Sequence, residues 1–215
     1  MSARSCSRSA VPELLTLHED PRSGNCYKIK LTAALLEIPL ETRQYDILKG
    51  ETRTSAFLAN VNAHGRIPVL QVGDRLLPES NAACWFLAEQ SHLVPGDRFE
   101  RAQMLRWMFF EQYSHEPNIA TLRFWFRFVG KDNLTAAQRG MLEAKKAAGI
   151  DALSTMNGHL GEHDWFAGDA PSLADIALFA YTHVADEGGF DLSAYPAVER
   201  WIVRFSEIRG FVAMA

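Results

Sequence analysis

Between Leu14 and Gln90 the chain alternates short apolar runs of strand character with longer stretches of helical spacing. Leu14 to His18 reads as a strand, a helix follows to Glu37, and Glu41 to Asp46 reads as a second strand. A helical stretch around Thr52 to Asn60 leads to a strand from Pro68 to Val72, and Arg75 to Leu77 forms another beyond Gly73-Asp74. That dipeptide, set between two apolar runs, predicts a two-residue hairpin. A helix then spans Glu79 to Glu89. The first two strands are joined through a helix and should be parallel, so the order βαβ-α-ββ-α predicts a small mixed sheet flanked by helices.

After the polar stretch Ser91 to Arg98 the period changes to helical almost throughout. Thr135-Ala-Ala-Gln138 has capping-box spacing, with Leu142, Gly149, Leu153, Met156 and Leu160 behind it until Gly161 ends the helix. Ser172-Leu-Ala-Asp175 is a second capping signal, followed by Leu173, Ile176, Ala177, Ala180 and Val184 on a core face. Pro196 opens a third helix at its tolerated first position and sets Val198, Trp201, Ile202 and Phe205 on one face. The long run ending at Phe109 to Pro117 should be kinked or interrupted by its proline. The expected organisation is a disordered extension over 1–13, an α/β domain over 14–90, a linker over 91–98 and an all-helical domain over 99–215.

Composition narrows the class. An apolar content of 47% over 215 residues is enough for a real core. The net charge of −4 comes with no basic stripe, which argues against a nucleic-acid partner. The longest apolar run, Ala82 to Ala88, is far short of the roughly 20 residues that span a bilayer, so no membrane association is expected. Cys6, Cys26 and Cys84 are odd in number and widely spaced, which gives neither a disulfide framework nor a zinc cluster and fits a reducing cytoplasm. His159 and His163 are four residues apart, but Gly161 lies between them and no third ligand is apparent, so no metal is expected.

The candidate chemistry sits in Arg22-Ser23-Gly24-Asn25-Cys26-Tyr27-Lys28, where a hydroxyl falls at the start of the first helix. Ser23 is suited to cap that helix, and the same terminus can stabilise an anion through free N–H groups and the helix dipole. The segment Ser23-Gly-Asn-Cys-Tyr-Lys, together with Asn62-Ala-His-Gly-Arg-Ile-Pro68-Val-Leu and Leu77-Pro-Glu79-Ser80-Asn, in this order and spacing, resembles the cytosolic glutathione transferases, in particular bacterial-type members with a Ser/Asn motif. The likeness covers nearly all of residues 14–210. It implies a thioredoxin-like glutathione-binding domain followed by a helical domain, and glutathione as co-substrate without a metal. It also implies transfer of the thiol to a small-molecule electrophile and a homodimer, with two alternatives on the same fold: a glutathione-dependent disulfide or peroxide reductase, and a non-catalytic interaction module.

The same resemblance implies a cis Ile67-Pro68 bond that leaves the main chain of Ile67 to pair with the cysteinyl unit of glutathione, as in strand addition. It implies that Ser80 holds the γ-glutamyl carboxylate and that Glu79 faces its ammonium. Arg66, or in its place His64 or Lys49, is a candidate for the glycyl carboxylate. A free thiol has a pKa near 8.5, so an enzyme using glutathione must favour the thiolate. Ser23 is expected to donate a hydrogen bond to that sulfur, with Asn25 as an alternative or additional donor and Cys26 as an unreactive, half-buried neighbour. Tyr113, His115, Arg123, Trp125 and Phe126 are candidates for an acceptor pocket, foremost Tyr113 and Arg123.

Overall fold

A computed structural model describes residues 14–214; the expected extension over 1–13, with Cys6, lies outside the described residues. The first half contains β1 (Leu15–Glu19), α1 (Gly24–Leu35), β2 (Glu41–Gln44), α2 (Ser55–Asn60), β3 (Val69–Val72), β4 (Arg75–Pro78) and α3 (Ser80–Ala88). The sheet order is β2-β1-β3-β4. β1 and β2 run parallel, as the intervening helix requires, whereas β1–β3 and β3–β4 are antiparallel. Gly73, at φ 58°, makes the hairpin turn in the left-handed region where glycine carries no Cβ penalty. The β2 strand ends at Gln44, two residues before the expected end at Asp46, and is exposed along its length, as befits a sheet edge.

The second half is helical: α4 (Arg98–Phe110), α5 (Glu116–Phe124), α6 (Ala136–Leu160), α7 (Leu173–Thr182) and α8 (Pro196–Ser206). Both capping boxes form, Thr135 with Gln138 and Ser172 with Asp175. α7 is buried at every position and is the axis of the molecule, touching α1, α3, α4 and α5. Asp175 is fully buried yet well supplied: the Phe166 and Ser172 N–H groups, the Ser172 hydroxyl and the Trp201 indole all donate to it. Val198, Trp201 and Phe205 form the buried face of α8.

Pro117 does not break the helical path. A π-helical turn over Glu111–His115 joins α4 directly to α5, and the proline falls in the first turn of α5, where a missing N–H matters least. This local rewinding has a geometric consequence. Residues five apart on an α-helix diverge by about 140° around the axis, but the i→i+5 closure of a π turn brings Glu111 and Glu116 toward the same side, facing the first half.

The two halves meet over a buried ion pair. Lys28 on α1 donates to Glu111 at 2.8 Å, with both side chains wholly removed from solvent. Asn81 and Gln112 donate to the other carboxylate oxygen at 3.2 and 2.8 Å. The Tyr27 hydroxyl also donates to the Val212 carbonyl at 2.6 Å and pins the C-terminal segment to the first half. Lys28→Met should leave an uncompensated buried carboxylate and cost about 3–5 kcal/mol. Denaturant unfolding should show that loss, and a further Glu111→Leu change should recover most of it.

Candidate active site

The loop between β1 and α1 is fixed from both sides. Asp20 accepts from Arg22 Nε and Nη2 at 2.8 and 2.5 Å, and Asp46 accepts from the same Nη2 at 2.7 Å. From the helical half, Arg123 donates through Nη1 to the Arg22 carbonyl at 2.9 Å and through Nε to Glu187 at 2.6 Å. Gly24 then brings α1 against α7 so closely that an added Cβ would lie 2.7 Å from the Tyr181 ring and 2.9 Å from the Ala180 carbonyl. Only glycine permits that approach.

This packing uses much of what the helix terminus could have offered a ligand. The Asn25 N–H donates to the Tyr181 hydroxyl at 3.2 Å, and the Cys26 N–H donates to Ser23 Oγ at 3.4 Å. Ser23 is therefore a true N-cap, and the side chains of Ser23 and Asn25, more than the backbone N–H groups, face the open space. Cys26 is fully buried, and burial pushes its thiol up to about 12 against an opposing hydrogen bond from Ser23. The thiol is thus more deeply buried than the half-buried position expected for it, because it sits one turn inside a helix packed on its inner face.

Two separate cavities lie beside this terminus. The larger, about 640 Å³, is lined by Asn25, Arg66, Ile67, Pro68, Glu79 and Ser80, six residues drawn from three separated sequence motifs. Arg53, Asn62, His64, Pro78, Gln112 and Glu116 complete its wall. The Ile67-Pro68 bond is cis, as expected. Glu79 is held at φ 73°, a conformation that costs a non-glycine residue about 1–3 kcal/mol. It starts α3 without a side-chain cap bond, so the first N–H groups of that helix are not taken up by a capping side chain. Ser80, 6% exposed, donates from its hydroxyl to Asn25 Oδ1 at 3.3 Å, and Asn25 Nδ2 donates to Glu116 Oε1 at 3.2 Å.

The smaller cavity, about 80 Å³, is lined by Ser23, Arg22, Ile47, Leu48, Ala120, Arg123, Phe124, Phe128 and Tyr181. Ser23 and Asn25 thus border different spaces, although two positions apart. Arg123 is brought beside Ser23 as a wall residue, but its guanidinium is engaged with Glu187 and the Arg22 carbonyl. Tyr113 is 88% exposed and lines neither cavity. The acceptor-pocket expectation for it does not match its position, because the π turn directs it outward while Glu111 and His115 face in. His115 is also displaced from that role: it is fully buried, with Nε2 2.9 Å from Thr182 Oγ1. Trp125 is buried, and Phe126 packs against Gly189. Lys49 pairs with Asp46 at 3.4 Å and is not part of the cleft wall. Among the described residues, no group of three His, Cys, Asp or Glu side chains could hold a metal ion.

Glu116, Gln112, Arg53 and Asn62 are the wall residues that sequence reasoning missed. Asn62 opens the motif that carries the cis-proline and could have been found as a polar residue flanking that loop, whereas Arg53 lies on the far side of α2, outside every motif singled out. Glu116 could not be found in this way. It is 91 residues from Asn25, and its spacing from Glu111 is not that of an α-helical face.

A thioredoxin-like domain whose cis-proline loop and α3 terminus form a polar cleft against a helical domain defines the class of glutathione-dependent transferases. Residues 22–90 match the family model of the glutathione S-transferase N-terminal domain, and residues 122–208 match that of the C-terminal domain. Glutathione S-transferase 2 of Anopheles gambiae is 30% identical over 195 residues, covering 88% of this chain and 89% of its own. The solved glutathione S-transferase of Pseudomonas fluorescens is similar at 46% identity and a TM-score of 0.87, with 94% of this chain and 98% of that one covered. That of Xanthobacter autotrophicus is 36% identical with a TM-score of 0.85, over 93% and 96% of the two chains. The chain belongs to the glutathione S-transferase family.

The buried network behind the site carries a pH signature. Thr182 donates its hydroxyl proton to the Leu178 carbonyl at 2.6 Å, so it accepts from His115 Nε2–H, and Nδ1 is buried without a partner. Burial lowers the His115 pKa to about 4, whereas the unfolded chain protonates near 6.5. The unfolded state therefore binds more protons between these values; stability is full above pH 6.5 and falls by about 3 kcal/mol as the pH drops toward 4. Asp175, pushed up to about 6 by burial, has the opposite slope over part of that window. It is common to the unaltered protein and His115→Phe, so the difference between their unfolding free energies across pH 4 to 7 should isolate the histidine.

Proposed function

We propose that the protein binds glutathione in the larger cavity, stabilises its thiolate at the N-terminus of α1, and transfers the sulfur to a small electrophile held on the side of the smaller cavity. The observation that carries this reading is the convergence of Asn25, Arg66, Ile67, Pro68, Glu79 and Ser80 on one cleft. Glutathione has two carboxylates and one ammonium. Ser80 with the uncapped α3 terminus suits the γ-glutamyl carboxylate, Glu79 the ammonium, and Arg66 the glycyl carboxylate. The Ile67 main chain pairs with the cysteinyl unit. The domains are then a glutathione-binding unit over 14–90, a linker over 91–98 and a helical unit over 99–215. A reducing cytoplasm, where glutathione is a thiol, and a role in detoxifying electrophiles fit this assignment.

With this placement the sulfur lies at the N-terminus of α1, within the field of Ser23 and Asn25. Lowering a thiol pKa by two units requires about 2.7 kcal/mol, which is within reach of charge-assisted hydrogen bonds plus the helix dipole. Ser23→Ala and Asn25→Ala should each lower turnover about tenfold or more and raise the bound thiol's pKa. An unchanged pH–rate profile in both variants would remove both residues from the chemistry. A second reading, glutathione-dependent disulfide or peroxide reduction, is favoured by Asn25, not Ser23, lining the larger cleft. Rates on an aryl halide and on a small disulfide separate the two.

The homodimer assignment finds support in an apolar surface on α3 and α4. Trp85, Leu105, Met108 and Phe109 line a groove of about 340 Å³ there, with Phe109 71% exposed. Covering such a surface is what association accomplishes. A solution mass of twice 24.1 kDa, reduced to the single-chain value by Phe109→Asp, is the expected result.

A further inference from the structure

Asn25 offers two chemically different ends, a carbonyl oxygen and an amide with two N–H donors, and only the amide end can stabilise a thiolate. What holds it that way round is therefore a functional question. Its Oδ1 meets the Ser80 hydroxyl at 3.3 Å and its Nδ2 meets Glu116 at 3.2 Å. The hydroxyl imposes no choice, since it donates to a carbonyl or accepts from an amide equally well. A carboxylate only accepts. If the carboxamide turned over, Oδ1 would lie against Glu116 with two acceptors face to face.

We propose, building on the glutathione reading above, that Glu116 is the positioning residue that keeps the Asn25 amide turned so that one N–H is held by the carboxylate and the second is presented to the thiol sulfur. Glu116 reaches this point because the π turn directs it toward the first half from the start of α5. The charges around it come from three other elements. Lys28 on α1 and Arg66 beside the cis-proline loop favour its carboxylate, Glu111 in the π turn opposes it, and the Tyr181 phenol stands close by on α7. Burial outweighs these and raises the Glu116 pKa. The amide is fixed while Glu116 is charged, and the bias is lost as the pH falls through that raised value. Glutamine at this position keeps the shape but can face either end of the amide, so it removes the selection without opening a hole.

The test is a double-mutant cycle of Glu116→Gln and Asn25→Ala, read by kcat/KM, by the thiolate absorbance of bound glutathione against pH, and by calorimetric glutathione affinity. Glu116→Gln alone should lower kcat/KM about tenfold, mostly in kcat, and raise the thiol pKa, as expected for loss of one aligned charge-assisted donor. Its glutathione affinity should stay within about twofold, which also shows that the variant folds. In the Asn25→Ala background the same change should have almost no further effect. Independent, multiplicative losses would overturn the inference, because Glu116 would then not act through Asn25. Loss of glutathione binding in Glu116→Gln would overturn it as well, by making Glu116 a binding group. If the unaltered protein bound no glutathione, the functional reading would fail, and this inference with it.

Discussion

The Lys28–Glu111 pair is the constraint on which the arrangement of the two halves depends. Removing both charges from water costs several kcal/mol per ion, and that cost is offset only when partner and additional donors are held in place. Here Lys28 supplies one donor, and Asn81 and Gln112 supply the others. Those side chains come from α1, α3 and the π turn, so the carboxylate is satisfied only when all three elements are correctly seated. A buried pair of this kind contributes little net stability by comparison with apolar packing, but it penalises any other docking of the helical half against the sheet half.

The cleft inherits its geometry from that docking. Asn25 and Ser80 sit on α1 and α3, which also supply donors to the pair, and Glu116 opens α5 directly after the π turn that carries Glu111. Gly24 lets α1 approach Tyr181, and Arg123 fixes the Arg22 carbonyl from the opposite side. The α1 terminus is thus held by contacts from the helical half, although its own residues belong to the first. Positioning by packed helices in this way gives a site better defined than one carried by a loop alone.

The two cavities separate Ser23 from Asn25 more sharply than the local sequence suggested. Ser23 and Asn25 are neighbours in sequence on one helix end, yet one borders an apolar recess and the other a polar cleft. The helix terminus itself contributes less than its position implied, because the Asn25 and Cys26 N–H groups already have partners.

The local determinants of this protein were legible in the chain: period-two and helical patterns placed the strands and helices, Gly73 the hairpin, and Thr135 and Ser172 the capped helix starts. The three motifs of the first half likewise brought Arg66, Ile67, Pro68, Glu79 and Ser80 into view, since each lies within a few residues of the turn or helix end that aims it. What only the tertiary structure decided are relations between side chains far apart in sequence. Tyr113 turned outward, His115 went into the core, and Glu116 came to Asn25, because a π turn rewound the helix that an α-helical spacing would have continued. Sequence periodicity fixes which face of a regular helix is buried; it does not report where the helix changes its winding, and that change selected which carboxylates reached the site.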